Sequence, residues 1–189
     1  MLTIGMIGAG FIAQFHERAL CSVRNAELAG VYALKGADEL AETAANDSLG
    51  NTQVYDSIAD LADAVDVIAV FAPNFARVEI MQEIAAAVKN GADIKGIVVE
   101  KPLARNLEEA DTLVSMVKEM NVPTAYFENQ IHMPSIAQAR LQLAGVEKSM
   151  GPAHLSRSAE EHGGPHEPWF WDPTTQGGGV CSDMGCHSI

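Results

Sequence analysis

The sequence predicts an α/β fold in which a doubly wound parallel sheet is followed by the partial start of an α+β domain. Short runs rich in valine and isoleucine alternate with alanine-rich amphipathic stretches over most of the chain. Such alternation is typical of a parallel sheet with helices on both faces. A glycine-rich turn directly follows the first apolar run, and ligand-binding α/β sheets often begin in this way.

The elements follow one another in strict strand–helix order. We predict strands at residues 2–7, 27–34, 52–55, 65–71, 94–99 and 123–127. We predict the intervening helices at residues 11–21, 37–46, 57–62, 75–89 and 107–120. The run 65–71 is almost entirely apolar, as expected for a strand buried on both faces. Asn106 precedes the last of these helices, and Glu109 follows three residues later, a spacing that predicts a capping box.

The character of the sequence changes near residue 127. We therefore predict a nucleotide-binding domain over residues 1–126 and an incomplete substrate domain over residues 127–189. A helix is predicted at 133–144 and a strand at 153–159, and the remainder is rich in Gly, Pro, His and Trp. So loop-rich a segment does not easily bury a core of its own, and we interpret it as the opening of a longer domain.

Composition and charge exclude several functional classes. The 189 residues carry 12 Lys and Arg against 25 Asp and Glu, which gives a formal net charge of −13. This balance argues against nucleic acid or an anionic membrane as a partner. No apolar run reaches the roughly 18 residues that indicate a membrane span. Three cysteines favour a reducing, cytoplasmic setting over a disulfide scaffold.

The turn after the first strand reads Gly8-Ala9-Gly10-Phe11-Ile12-Ala13. It matches G-x-G-x-x-G/A, the pattern of a Rossmann dinucleotide-binding loop. In that pattern Gly8 allows the tight turn, Gly10 lets a pyrophosphate approach the backbone, and Ala13 allows close helix packing. The following helix N-terminus offers amides and partial positive charge to the phosphates. The alternative is a glycine turn that binds nothing.

The second strand lacks the acidic residue that usually holds the ribose hydroxyls of NAD. Lys35 lies near that place, and a cation there favours the 2′-phosphate of NADP. The alternatives are a solvated loop lysine at position 35 and recognition of NAD through Asp38. We predict NADP or NAD as the cofactor, with a preference for NADP.

Glu100, Lys101 and Pro102 follow the fifth strand, at the sheet edge where ligands of open α/β sheets bind. A lysine beside the nicotinamide would bind a substrate hydroxyl and assist its deprotonation. The alternative is a strand-end lysine in water followed by a turn proline.

Four motifs in this order resemble the Gfo/Idh/MocA oxidoreductase family. They are Gly8-x-Gly10, Ala72-Pro73-Asn74, Glu100-Lys101-Pro102-Leu103-Ala104 and the stretch from Gly177-Gly178-Gly179 to Asp183 and His187. The resemblance covers essentially the whole chain. It implies hydride transfer between NAD(P) and a hydroxyl carbon of a sugar, polyol or related compound. It also implies a homo-oligomer formed through the second domain, if the protein is full length.

The resemblance assigns roles residue by residue. It implies that Gly8, Gly10, Phe11 and Ile12 meet the pyrophosphate, and that Pro73, Asn74 and Glu100 line the cofactor cleft. Lys101 would be catalytic, and Asn129 with Gln130 would supply polar groups after the sixth strand. Asp183 would contact or orient substrate, and His187 would act with Lys101 in proton transfer. A helix beginning at Gly178 and Gly179 would put Asp183 and His187 on one face; the alternative is a capping aspartate and a satisfied histidine.

Two other functional classes remain open. One is a non-catalytic dinucleotide-binding module or inactive fragment, because most of the substrate sheet is missing from the sequence. The other is a metal-dependent hydrolase that uses His162, His166 and neighbouring glutamates. Because their spacing matches no known zinc motif, we predict no metal site.

Overall fold

The computed structural model describes residues 1–161, 163–164 and 167–188. The chain divides into two compact units, Met1–Tyr126 and Phe127–Ile189, and each is considered by itself. Among the described residues, none of the helices combines the length and apolar character needed to traverse a lipid bilayer.

The first unit is a six-stranded sheet flanked by helices. Its strands are β1 (Leu2–Ile7), β2 (Ala26–Tyr32), β3 (Gln53–Val54), β4 (Val67–Val70), β5 (Gly96–Glu100) and β6 (Thr124–Phe127). Its helices are α1 (Phe11–Leu20), α2 (Ala37–Asn46), α3 (Ile58–Ala64), α4 (Arg77–Asn90) and α5 (Leu107–Met120). The strand order is β3-β2-β1-β4-β5-β6, with parallel pairing from β3 through β5. The predicted doubly wound sheet is confirmed, and its order is that of a dinucleotide-binding fold.

The core of this unit explains its alternating sequence. Ile68 and Val70 of β4 are fully buried, as expected for a central strand covered on both faces. Helix α3 packs so closely on β1 and β2 that a Cβ atom at Gly5 would lie 2.8 Å from the Leu61 side chain. A Cβ atom at Gly30 would lie 2.5 Å from the same leucine. The two strand glycines therefore make room for this helix.

Helix starts agree with the sequence where a capping side chain is present. The Asn106 side chain accepts a hydrogen bond from the Glu109 amide, so the predicted cap is confirmed. The Glu109 carboxylate reaches back to the Arg105 amide at 3.1 Å, one residue earlier than in a standard capping box. Helix α4 begins two residues later than predicted, because a 3₁₀ turn, Asn74–Ala76, precedes it.

The second unit contains helices and irregular segments in its described residues. Helix α6 (Pro134–Met150) is longer than predicted, and the short helices α7 (Pro173–Gln176) and α8 (Val180–Asp183) follow. The predicted strand at 153–159 is not formed. A strand needs a neighbour to satisfy its backbone groups, and the described part of this unit offers none. The predicted single helix through Asp183 and His187 is also wrong, because α8 ends at Asp183 and a separate 3₁₀ turn, Gly185–His187, carries the histidine.

Candidate functional site

The turn after β1 has the geometry of a phosphate loop. Gly8 has a φ of +104°, and a Cβ atom there would lie 2.9 Å from the Ala72 amide nitrogen, so only glycine fits. Gly10 is the N-cap of α1, and a Cβ atom there would meet nothing within 4 Å. Packing inside the protein therefore does not require a glycine at position 10. The open space in front of it, beside a helix N-terminus without a side-chain cap, fits an approaching pyrophosphate.

This turn lies where the strand order reverses. β1 pairs with β2 on one side and β4 on the other, and the Phe71 amide donates to the Ile7 carbonyl oxygen at 2.8 Å. The crevice outside the carboxyl ends of β1 and β4 is the usual ligand site of an open α/β sheet. Gly8 and Ala72 meet at its floor, as the close approach at Gly8 shows.

The loop after β2 borders the same turn. Lys35 is exposed in this loop, and Gly36, with a φ of +77°, is the N-cap of α2. A Cβ atom at Gly36 would lie 3.6 Å from Cβ of Ala9. The loop that carries Lys35 therefore packs against the phosphate turn. Asp38 lies in the first turn of α2, so an acid and a cation are both available at this position.

A buried arginine joins the segments that follow β4 and β5. Arg77 is 2% exposed, and its Nε and Nη2 atoms donate to the carbonyl oxygens of Ala72 and Lys101, each at 3.3 Å. Its Nη1 atom donates to the Pro102 carbonyl oxygen. Burial lowers the pKa of Arg77 to about 10, although the charges of Glu100 and Tyr126 oppose this shift. The guanidinium remains protonated at neutral pH and fixes both segments.

The Glu100-Lys101-Pro102 motif directly follows β5. Glu100 is 5% exposed, and its Oε2 atom accepts a hydrogen bond from the Lys101 amide at 2.6 Å. The Lys101–Pro102 peptide bond is cis, and Lys101 is partly buried. His16 of α1 has its Nε2 atom 3.9 Å from Oε1 of Glu100. The carboxylate therefore lies between the β5 end and the first helix.

Aromatic packing positions the histidine of α1. The His16 ring stacks on Phe71 with centroids 4.5 Å apart and planes inclined by 19°. Phe71 directly follows β4, so this stack brings α1 against the segment that carries Pro73 and Asn74. Asn74 is 2% exposed, and Pro73 is partly buried. The first-unit residues predicted to line the cleft thus share the carboxyl edge of the sheet with the phosphate turn.

The second unit contains a carboxylate–histidine pair. Nδ1 of His187 lies 2.7 Å from both carboxylate oxygens of Glu128, and both side chains are largely buried. Glu128 Oε1 also accepts a hydrogen bond from the Gln130 amide at 2.8 Å. With Glu128 ionised, Nδ1 is the protonated nitrogen, which leaves Nε2 available to exchange a proton. Asn129 is exposed beside this pair and caps a 3₁₀ turn, Gln130–His132.

Sequence reasoning missed three residues of this arrangement. Arg77 and His16 lack a motif, and only the fold shows that they join the ends of β4 and β5 and the face of α1. Glu128 lies 59 residues from His187 along the chain, a separation that no local pattern bridges. Two histidines of the hydrolase hypothesis, His162 and His166, lie outside the described residues.

The glycine turn, the strand order and the polar groups at the strand ends define a dinucleotide-binding Rossmann protein. Residues 2–127 match the family model described as "Oxidoreductase family, NAD-binding Rossmann fold". The chain therefore belongs to the Gfo/Idh/MocA oxidoreductase family, and the resemblance stated from the motifs is confirmed.

Curated relatives carry dehydrogenase names. The chain is 34% identical over 124 residues to glucose-6-phosphate 3-dehydrogenase of Bacillus subtilis, a match that covers 65% of this chain and 32% of the relative. It is 27% identical over 201 residues to levoglucosan dehydrogenase of Pseudarthrobacter phenanthrenivorans, which covers 100% of this chain and 49% of that protein. The chain spans between about a third and a half of the length of the curated relatives it matches.

Solved structures share the fold. GenD2 from gentamicin A biosynthesis, in complex with NAD, aligns with a TM-score of 0.79 at 24% identity, covering 98% of this chain and 51% of its own. The myo-inositol 2-dehydrogenase from Lactobacillus plantarum aligns with a TM-score of 0.63 at 23% identity, covering 78% and 42%. At these identities the likeness concerns the fold.

Proposed function

We propose that this chain carries the cofactor domain and part of the active site of an NAD(P)-dependent oxidoreductase. The reaction is hydride transfer between the nicotinamide and a hydroxyl carbon of a sugar, polyol or related compound. The observation that carries the proposal is the open space in front of Gly10, at the uncapped N-terminus of α1 and beside the end of β4. The dehydrogenase names of the relatives support the substrate class.

The cofactor is held by first-unit residues in this proposal. The backbone at Gly8 and Gly10 and the first turn of α1, with Phe11 and Ile12, receives the pyrophosphate. Pro73, Asn74 and Glu100 line the cleft toward the nicotinamide. A bound nicotinamide dinucleotide would supply the hydride acceptor or donor.

Proton transfer is assigned to Lys101 and His187. Lys101 binds the substrate hydroxyl, and the hydroxyl proton passes to Lys101 or to Nε2 of His187 as the carbon loses its hydride. Glu128 is a positioning residue, because its contact with Nδ1 fixes which imidazole nitrogen is free. Asp183 and Asn129 contribute polar contacts to substrate and cofactor.

NADP is the preferred cofactor in this proposal. The support is the position of Lys35 in the loop packed against Ala9, where the 2′-phosphate of a cofactor bound at the glycine turn would lie. NAD recognition through Asp38 is the competing possibility. Free thiols at Cys21, Cys181 and Cys186 fit a reducing compartment, so a cytoplasmic location and a homo-oligomer of the full-length protein remain predictions.

The second candidate is a dinucleotide-binding module without turnover. The observation in its favour is that the chain spans at most about half of its curated relatives, so much of a substrate wall is absent from this sequence. Without that wall, exclusion of water and orientation of substrate are incomplete.

One experiment separates these possibilities. NADPH and NADH are titrated against the purified chain by fluorescence, and turnover is then measured on a panel of sugars and polyols. Saturable binding of either nucleotide, abolished by Gly10→Val and retained by Gly145→Val, supports the cofactor site. A Cβ atom at Gly145 also meets nothing within 4 Å, but that glycine lies in α6 of the second unit. Binding with turnover supports the enzyme, binding without turnover supports the module, and no binding refutes both.

A further inference from the structure

Three potential metal ligands meet at the C-terminal end of α1. One carboxylate oxygen each from Glu17 and Asp47 and the Sγ atom of Cys21 lie within 4.8 Å of one another. Glu17 and Cys21 are four residues apart and share a face of α1. Because α1 has ten residues, it is about 15 Å long. The group therefore lies a helix length away from Gly10 and is distinct from the cofactor crevice.

Glu17 has no partner inside the protein. It is 0% exposed, and neither of its carboxylate oxygens has a hydrogen-bond partner. A buried carboxylate in this state is costly unless a cation or a proton neutralises it. Its oxygens are nonetheless held near Sγ of Cys21 and the carboxylate of Asp47. A single ion at the centre of the three groups would satisfy this side chain.

The backbone adds further negative potential at the same place. Cys21 is the C-cap of α1, and Asp47 is the C-cap of α2. Each helix C-terminus carries a partial negative charge that favours cations. Two helix ends and two acidic side chains therefore converge, in a chain whose formal net charge is −13.

We propose that Glu17, Cys21 and Asp47 bind a divalent transition-metal ion of the zinc class. Zinc accepts a thiolate and carboxylates together, whereas Mg²⁺ and Ca²⁺ select oxygen ligands. Cys21 and Asp47 are exposed, so the ion enters from solvent and water completes its coordination. In the absence of metal the Cys21 thiol hydrogen-bonds to the Glu17 carbonyl oxygen, with Sγ 3.8 Å from it. Binding releases the thiol proton to solvent and links the ends of α1 and α2.

The test uses Co²⁺ as a spectroscopic substitute for zinc. A Cys181→Ser/Cys186→Ser double variant leaves Cys21 as the sole cysteine and removes the thiol of a second group of potential ligands, Glu128, Cys186 and His187. Titration of this variant is expected to give a thiolate-to-cobalt charge-transfer band that saturates at one equivalent and disappears when Zn²⁺ is added. Further replacement of Cys21 with Ser is expected to abolish the band.

Carboxylate variants test the remaining ligands. Asp47→Asn in the double-variant background is expected to weaken Co²⁺ binding by at least about tenfold, the loss typical of a disrupted metal environment. Asp63→Asn, at an exposed acid of α3, is the matched control and is expected to bind like its parent. Circular dichroism establishes that each variant is folded. No charge-transfer band in the folded double variant would overturn the proposal, and so would unchanged affinity in folded Asp47→Asn. None of these readouts depends on nucleotide binding or turnover.

Discussion

The Arg77 guanidinium donates to the Lys101 carbonyl oxygen at 3.3 Å from a fully buried position. The same group donates to the carbonyl oxygens of Ala72 and Pro102. One side chain therefore fixes the segments that leave two neighbouring strands, and both segments carry predicted site residues. The position of the Lys101 backbone depends on a residue that no site motif includes.

Arg77→Met is expected to destabilise the first unit by about 3 kcal/mol, because several carbonyl oxygens lose their donor in a buried place. Urea unfolding measures this change. Arg24→Lys, at an exposed arginine, is the control and is expected to stay within about 0.5 kcal/mol of the parent. Equal stability of Arg77→Met and the parent would contradict a fixing role for this guanidinium.

Gly8→Ala is expected to cost about 1–3 kcal/mol of stability, because φ is +104° and the added methyl group would lie 2.9 Å from the Ala72 nitrogen. Gly145→Ala is the matched control, since it lies in α6 and has open space. That change is expected to stabilise its helix by about 0.5–1 kcal/mol. Thermal unfolding of both variants compares the two signs directly.

Asp66 provides a pH-dependent prediction. The Lys95 side chain, followed by the Thr3 amide and hydroxyl, lowers the pKa of Asp66 from 3.8 to about 2. A folded-state pKa below the unfolded value means that the contribution is full above about pH 4 and is lost as the pH falls toward 2. Asp66→Asn is therefore expected to be less stable than the parent at pH 7, with the difference shrinking between pH 4 and pH 2. A difference that stays constant across this range, measured by urea unfolding, contradicts the assignment.

Glu128→Ala is expected to change the tautomer of His187. In the parent, Glu128 accepts from Nδ1, so the neutral ring carries its proton there. Without the carboxylate this preference is lost. The ¹⁵N chemical shifts of the ring, assigned with a His187→Asn variant, report the tautomer, and Glu147→Ala on exposed α6 is the control. Identical ring shifts in parent and Glu128→Ala would show that the pair does not form.

Lys35→Ala is expected to raise the Kd for NADPH by about tenfold, the loss of roughly one charge-assisted hydrogen bond. The Kd for NADH is expected to change little, because NADH lacks the 2′-phosphate. Lys89→Ala, near the C-terminus of α4, is the control. A parallel loss for both nucleotides, or none for either, argues against discrimination by Lys35.

Much of the first unit could be predicted from local signals. The alternation of apolar runs and helices indicated every strand of the sheet, and the spacing of Gly8 and Gly10 indicated the phosphate turn. The Asn106 cap was also readable, since its hydrogen bond spans three residues. These features depend on backbone conformation and hydrophobic period, which short windows of sequence encode.

The parts that could not be predicted depend on long-range contacts. Arg77 meets Pro102 across 25 residues, and Glu128 meets His187 across 59. The break between Asp183 and His187 arises because the chain tightens into a 3₁₀ turn after Met184, and the residue pattern alone did not distinguish this from a continuous helix. The strand predicted at 153–159 had suitable residues but no neighbour to pair with.

The meeting of Gly8 with Ala72, and of Arg77 with Pro102, has a consequence for biosynthesis. All four residues lie within the first 126 positions, so the nucleotide crevice is encoded by the amino-terminal part of the message. During translation, which adds about 5–20 residues per second and lets amino-terminal domains fold first, a nascent chain can acquire its dinucleotide before the later residues emerge from the ribosome. Coenzyme capture would then stabilise the growing polypeptide while synthesis continues.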